Sequence, residues 1–122
     1  MSSVTLIIVT HNSAEVIEHC LRSIPENVTI IVVDNASSDN TVAIVQESCP
    51  RATIIATPKN LGFGRANNVA LEHVETPYAL LLNPDARLHK GALDVLLGIA
   101  EQYPDAAMVA PTIVDEKGHW KQ

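Results

Sequence analysis

Four short apolar runs, separated by stretches of amphipathic sequence, constrain the fold of this chain more than any other feature. The first three are rich in Val or Ile and the fourth in Leu. They show no polar alternation and lie at residues 4–9, 29–33, 53–57 and 78–82. Strands of this kind are covered on both faces, as in a parallel sheet with crossover helices. The sequence therefore predicts an α/β fold with a mostly parallel sheet and helices on both faces.

Apolar residues at helical spacing predict one helix after each strand. The four stripes are Val16, Ile17, Cys20, Leu21 and Ile24; Val42, Val45 and Cys49; Ala66, Val69, Ala70 and Val74; and Leu93, Leu96, Leu97 and Ala100. Asn12 suits the start of the first helix, and Ser38 or Asp39 can cap the second. A last short strand is predicted at residues 108–110. Because crossovers are right-handed, few strand orders remain, and we predict 3-2-1-4.

Length and charge exclude several classes of protein. The 122 residues suit a single domain, and 8 Lys+Arg against 14 Asp+Glu leave a net charge of −6, which argues against a nucleic-acid partner. No apolar run reaches the ~18 residues of a transmembrane helix. The first residues lack the positive charge of a secretory signal, and the two cysteines form no metal or disulfide pattern. We expect a cytoplasmic protein, with a peripheral position at the cytoplasmic membrane as the alternative.

Polar and turn-forming residues follow each predicted strand. They are Thr10, His11 and Asn12 after the first, Asp34 after the second, Asn60, Gly62 and Gly64 after the third, and Asn83 and Asp85 after the fourth. In a parallel sheet these points share the carboxyl edge, where open α/β folds bind ligands. Turn-forming residues are also common in such loops for conformational reasons alone. Both interpretations stay open at this level.

The chemistry of this edge suits a nucleotide diphosphate with a divalent metal. The Asp34 carboxylate can accept hydrogen bonds from a ribose or a base, while helix N-termini together with Lys59 and Arg65 can hold phosphate. Asp85 suits Mg²⁺ or Mn²⁺, since such ions need only one or two protein carboxylates beside phosphates. A P-loop is absent, and the glycines at 62 and 64 lack the third glycine of a dinucleotide fingerprint.

Four motifs together resemble family 2 glycosyltransferases, most closely the rhamnosyltransferase-like branch. They read T-H-N-S at 10–13, V-D-N-A-S-S-D at 33–39, N-L-G-F at 60–63 with N-N at 67–68, and L-N-P-D at 82–85. The resemblance implies a GT-A fold and inverting, metal-assisted transfer of a sugar, with rhamnose as a candidate, from a nucleotide-diphosphate donor. The implied acceptor is a glycan or a lipid-linked molecule in cell-wall or polysaccharide biosynthesis.

The resemblance also implies roles for individual residues. The implied nucleotide-sugar-binding residues are Thr10, His11, Asn12, Asp34, Asn60, Gly62, Arg65, Asn68 and Asn83, with Asp85 as the metal ligand. Asn83 stands in place of the first Asp of the family's D-x-D motif, and a neutral amide is a weaker cation ligand. His11 stands where many relatives have Tyr, which bears on how a base would stack.

The family also implies that this chain is a truncated, N-terminal portion. Relatives continue into a second half that binds the acceptor and supplies the general base, so no catalytic residue is assigned. Asp115 and Glu116 are the only late acids, and a turn beside Gly118 is their expected role. Two hypotheses follow: residues 1–122 form the single donor-binding domain of a glycosyltransferase, or a non-catalytic nucleotide-sugar-binding or interaction module. We also expect a homodimer through the exposed C-terminal face.

Overall fold

The computed structural model describes residues 3–114, 117 and 119 as alternating strands and helices. In chain order these are β1 (Val4–Thr10), α1 (Ile17–Arg22), β2 (Thr29–Asp34), α2 (Thr41–Ser48), β3 (Thr53–Ala56), α3 (Phe63–Leu71), β4 (Tyr78–Leu81) and α4 (Ala92–Gln102). Backbone contacts divide the chain into residues 1–87 and residues 88–122. The single donor-binding domain over 1–122 stays a prediction, and the turn expected at Asp115 and Glu116 lies outside the described residues.

The four strands form one parallel sheet in the order β3-β2-β1-β4. This confirms both the parallel arrangement and the predicted order 3-2-1-4. β1 and β2 occupy the centre, and every residue of β1 is buried. The continuous apolar runs of the two central strands follow from this position, because both of their faces are covered.

Both faces of the sheet are packed. On one face, the small side chains of Ala66 and Ala70 allow α3 to pack against a cluster formed by Ile7, Val9, Ile31 and Val33. On the other face, side chains from the alternate positions are also buried: Leu6, Ile8, Ile30 and Val32. α1 and α2 contact each other and bury their apolar residues. The reversal of strand order after β3 places α3 opposite α1 and α2, because the crossovers are right-handed.

Two local details of the predicted helices differ from the structure. α1 begins later than expected, since the carbonyl of Ser13 accepts the amide hydrogens of Val16 and Ile17 in a tight turn. Val16 therefore lies 37% exposed instead of facing the core. Asn12 does not cap α1, because its side chain bonds to the loop after β2. Asp39 does accept the backbone N–H of Thr41 at the start of α2, at 3.0 Å.

The prediction of a last strand at residues 108–110 is wrong. Residues 108–110 form no regular structure, and Met108 is 83% exposed. A strand needs a neighbouring backbone to pair with, and the apolar run here is short and followed at once by Pro111. α4 ends before Tyr103 as predicted. Within the described residues no helix has the length and hydrophobicity needed to cross a bilayer.

Truncating a side chain in the α3-facing cluster should destabilise the fold strongly. Ile7 is 1% exposed in the central strand, so Ile7→Ala is expected to cost about 2–5 kcal/mol through lost burial and the cavity left behind. The control Leu71→Ala, at a position 43% exposed on α3, should cost less than about 1 kcal/mol. Urea unfolding of both variants measures the difference, and equal losses would contradict this account of the core.

Candidate functional site

The carboxyl edge of the sheet brings three of the four polar loops into direct contact. Thr10 pairs with Asp34, and Asp34 pairs with Ala56, so β1, β2 and β3 end at the same level. The residues that follow these strands exchange hydrogen bonds from loop to loop. The sequence-predicted convergence of Thr10, His11, Asn12, Asp34, Asn60 and Gly62 is therefore found in the structure.

Asp34 is a buried carboxylate at the centre of this edge, and it is 3% exposed. Its Oδ1 accepts the hydroxyls of Thr10 at 2.7 Å and Ser37 at 2.6 Å, and its Oδ2 accepts the Ser37 backbone N–H at 3.0 Å. The Thr10 side chain is fully buried behind it. A carboxylate offers roughly four acceptor positions, so these three bonds orient Asp34 and leave capacity for one more donor.

His11 is held in one tautomer by a backbone carbonyl. Its Nδ1 lies 2.6 Å from the carbonyl oxygen of Asn35. Because a carbonyl oxygen only accepts, Nδ1 carries the hydrogen and Nε2 of the neutral ring is an acceptor. The side-chain nitrogen of Asn12 lies 3.5 Å from Nε2. The ring is thus oriented at its inner nitrogen while the residue stays exposed.

Asn12 connects the loop after β1 to the loop after β2. Its backbone is left-handed, with φ of 51°, a conformation that Asn adopts more readily than most residues. Its N–H donates to the Ser37 hydroxyl at 2.8 Å, and its Oδ1 accepts the backbone N–H groups of Ser38 at 2.8 Å and Asp39 at 3.3 Å. Asn12 therefore holds the loop after β2 in place against the loop after β1.

A second set of bonds joins the same two loops. The N–H of Ser13 donates to the buried hydroxyl of Thr41 at 2.9 Å, and the N–H of Ala14 donates to Asp39 at 3.3 Å. The Thr41 hydroxyl also donates to the Asp39 carboxylate. This hydroxyl bond is the main cause that lowers the pKa of Asp39 below its ordinary value of 3.8.

The loop after β3 is held by a hydrogen bond within the loop and by bonds from Asn35, the residue that follows β2. Gly62 adopts φ of 82°, which favours glycine, and its N–H donates to the side chain of Asn60 at 2.9 Å. The carboxamide of Asn35 bonds to both Leu61 and Gly62. Arg65 and Asn68 lie exposed on the first turns of α3. The predicted site residues of this segment therefore stand beside the helix N-terminus that the loop introduces.

The loop after β4 is anchored by Cys20. The thiol donates to the carbonyl oxygen of Asn83 at 3.6 Å, and the N–H of Ala86 donates to the same oxygen at 3.0 Å. Burial raises the pKa of Cys20 to about 12, with a further contribution from the negative charge of Asp85. The thiol therefore stays protonated at neutral pH and acts as a donor, not as a thiolate ligand.

Asp85 fits a divalent ion only in company with other ligands. Among the described residues, no group of three or more His, Cys, Asp and Glu side chains is arranged to hold an ion. Asp85 and Asn83 are both exposed at this edge. Mg²⁺ is commonly bound by one or two carboxylates together with substrate phosphates and water, so this donor set suits an ion that arrives with a diphosphate. The metal at Asp85 stays a prediction.

Sequence reasoning assigned no role to four residues that position the site. Asn35, Ser37 and Thr41 carry the bonds between loops, and Cys20 holds the Asn83 carbonyl. Asn35 and Ser37 lie in the polar stretch between β2 and α2, and Thr41 is the first residue of α2. That placement was the available signal. Cys20 gave no signal, because a cysteine on an apolar helical stripe is typical of a core.

Comparison with known proteins gives one family for the whole chain. The family model described as "Glycosyl transferase family 2" matches residues 5–122. The chain is similar to the N-acetylglucosaminyl-diphospho-decaprenol L-rhamnosyltransferase of Mycobacterium tuberculosis, with 26% identity over 128 residues that cover 93% of this chain and 42% of that protein. The chain spans less than half the length of the curated relatives that it matches first.

Solved structures show the same fold. S. aureus TarS in complex with UDP matches with a TM-score of 0.75 and 21% identity, over 94% of this chain and 40% of that one. A second match is glucosyl-3-phosphoglycerate synthase from Mycobacterium tuberculosis in complex with Mn²⁺, UDP and glucosyl-3-phosphoglycerate. Its TM-score is 0.64 and its identity 19%, over 79% of this chain and 38% of that one. The parallel sheet in the order 3-2-1-4 is thus that of GT-A glycosyltransferases, as the sequence predicted.

Removing the charge of Asp39 should change the pH dependence of stability. A lowered pKa in the folded state adds stability at neutral pH that is lost as the pH falls through that pKa. Asp39→Asn should therefore unfold at a lower temperature than wild type near pH 7, and the difference should shrink below about pH 4. Thermal unfolding from about pH 7 to about pH 2 measures it. Glu75→Gln, at another exposed position, controls for the loss of one charge, and a pH-independent difference would contradict the assignment.

Proposed function

Because this chain belongs to glycosyl transferase family 2, we propose that it is the donor-binding portion of an enzyme that uses a nucleotide-diphosphate sugar. The observation that carries the proposal is the hydrogen-bonded junction of three loops around Asp34, with His11 and the segment 60–62 on either side of it. The match to the UDP complex of TarS supports a uridine nucleotide as the first ligand to test.

The base and ribose are assigned to the region around Asp34. Its carboxylate is already oriented by Thr10 and Ser37, so it can accept a ligand N–H or O–H without paying the entropy of ordering a free side chain. His11 offers a flat ring whose inner nitrogen is fixed. Nucleobases stack on such rings, and we assign the stacking to His11. Asn12, which follows it in the same loop, is assigned to the same subsite.

The diphosphate is assigned to the N-terminus of α3 and to the loop after β4. The first N–H groups of a helix have no partner within it and attract anions, and Arg65 and Lys59 add positive charge nearby in sequence. A divalent ion held by Asp85, with Asn83 beside it, would neutralise charge on the diphosphate as it leaves. With a net charge of −6, the chain depends on these local donors to hold an anionic ligand.

Transfer itself is a proposal for the whole protein, because this chain covers 42% of the rhamnosyltransferase. Inverting transfer needs a base that takes the proton from the acceptor hydroxyl, and we assign none within the described residues. The name of the rhamnosyltransferase supports rhamnose as a candidate sugar, and the decaprenol in that name supports a lipid-linked acceptor and a peripheral position at a membrane. The predicted homodimer would cover the exposed Val95, Ile99 and Met108.

The chain should bind UDP, with a contribution from metal that depends on Asp85. A ligand present at about 100 times its dissociation constant stabilises a fold by about 2.7 kcal/mol. We therefore expect UDP to raise the unfolding temperature, and Mn²⁺ to raise it further in wild type but not in Asp85→Ala. Asp105→Ala, which removes an exposed acid elsewhere, should behave as wild type. Calorimetry that detects no binding of uridine, thymidine or guanosine diphosphate would overturn the proposal.

A turnover assay separates the enzyme portion from a non-catalytic binding module. The alternative is favoured by the lack of an assigned base, and it predicts UDP binding without sugar transfer or donor hydrolysis by the 122-residue chain. Release of UDP from UDP-linked sugars, or of dTDP from dTDP-linked sugars, measured with and without Mn²⁺, makes the distinction. Turnover above the no-protein rate that is lost in Asp85→Ala would reject the non-catalytic module.

A further inference from the structure

Asn35 contacts the loops that follow β1 and β3 as well as its own. Its backbone N–H donates to the carbonyl of Thr10 at 2.7 Å, and its carbonyl accepts the His11 ring N–H at 2.6 Å. Its side chain donates to the Gly62 carbonyl at 3.2 Å and accepts the Leu61 N–H at 3.1 Å. One residue that is 2% exposed therefore bonds to both sides of the region proposed to hold the base.

The Asn35 carboxamide can both accept from the Leu61 N–H and donate to the Gly62 C=O. Other side chains of this length do not offer both functions from one planar group. The N–H of Leu61 requires an acceptor, and the C=O of Gly62 requires a donor. Asn presents both from one planar group, whereas the carboxylate of an Asp only accepts. An Asp at position 35 would keep the bond to Leu61 and place a second oxygen against the Gly62 carbonyl, which repels it.

The bond to Gly62 also determines where α3 begins. The Gly62 carbonyl accepts the N–H of Ala66 in the first turn of the helix, and Gly62 occupies its N-cap position. Asn60 bonds only within the same short segment, to the N–H of Gly62. A shift of the Gly62 peptide would therefore move residues 60–62 and the start of α3 away from His11.

We propose that Asn35 is a positioning residue that sets the spacing between the His11 ring and the Leu61–Gly62 peptide, and thereby the size of nucleobase that fits between them. The inference rests on the proposed function, since it concerns the base subsite of the same donor. Loss of the Asn35 bond to Gly62 widens the spacing, and the discrimination between pyrimidine and purine bases changes with it.

The test compares UDP and GDP binding in wild type, Asn35→Asp and Asn35→Ser. Both ligands carry the same diphosphate. The repulsion between that diphosphate and the negative charge that Asp adds therefore cancels in the ratio of the two dissociation constants. Titration calorimetry should show that this ratio shifts toward GDP by about tenfold in either variant, the scale on which pocket size discriminates substrates. Asn35→Ser removes the carboxamide without adding charge and carries the same expectation.

The control separates positioning from general stability. Thr76→Val removes a partly buried hydroxyl near the start of β4. This hydroxyl bonds to the Thr5 hydroxyl and to the Tyr78 carbonyl, both at 2.8 Å. It should lower the unfolding temperature and leave the UDP-to-GDP ratio unchanged. A ratio within about twofold of wild type in both Asn35 variants would overturn the inference, even if their stability falls, since a pocket change of consequence gives a larger factor.

Two further outcomes are decisive. If wild type binds neither nucleotide, the proposed function fails, and the inference fails with it. If both Asn35 variants fail to fold, hydrogen exchange of wild type gives the answer. UDP should then slow the exchange of the Leu61 amide hydrogen and shift the His11 ring resonances, because both report on the two sides of the subsite. Unchanged exchange at Leu61 in the presence of bound UDP would overturn the inference.

Discussion

The parallel pairing of β1 with β2 is the constraint on which the rest of this structure depends. It runs from Thr5 opposite Thr29 to Thr10 opposite Asp34, so both strands end at the same level. The Thr10 hydroxyl therefore reaches the Asp34 carboxylate directly. A slip of one residue would turn every side chain to the other face of the sheet, and it would separate this pair as well as disrupt the core.

The polar groups at the carboxyl ends of β1 and β2 form hydrogen bonds with one another. Asp34, Asn35 and Thr41 are each at most 3% exposed, and a buried polar group without a partner is costly. No buried side-chain nitrogen or oxygen among the described residues lacks a hydrogen bond. The same bonds that meet this requirement hold three loops together, so the edge is organised before a ligand arrives. Prior organisation of this kind lowers the entropic cost of binding.

Particular residues show how far sequence reasoning reached. Asp34 and Asn60 were predicted at the site, because strand periodicity located the ends of β2 and β3 and parallel strands share one edge. Asn12 was predicted both at the site and at the start of the first helix, and the structure shows its side chain bonded to Ser38 instead of capping that helix. Local sequence favours capping by Asn in general, and it carries no information about a partner 26 residues away. The strand expected at 108–110 failed for a similar reason, since a strand is defined by its neighbour.

The sequence by itself determined the α/β class and the edge at which the polar residues collect. It also left only a few strand orders, among which 3-2-1-4 was predicted, and its four motifs indicated the family. These follow from hydrophobic periodicity, crossover handedness and motif spacing, all of which are local or topological. The tertiary structure alone decided which polar side chains stay exposed at this edge and which hold the others in place. Thr10 was a candidate for contact with a nucleotide, yet its hydroxyl bonds to Asp34. Asn35 had no assigned role, and its side chain bonds to Gly62. That division depends on distances of about 3 Å between residues remote in the chain, the range over which hydrogen bonds form.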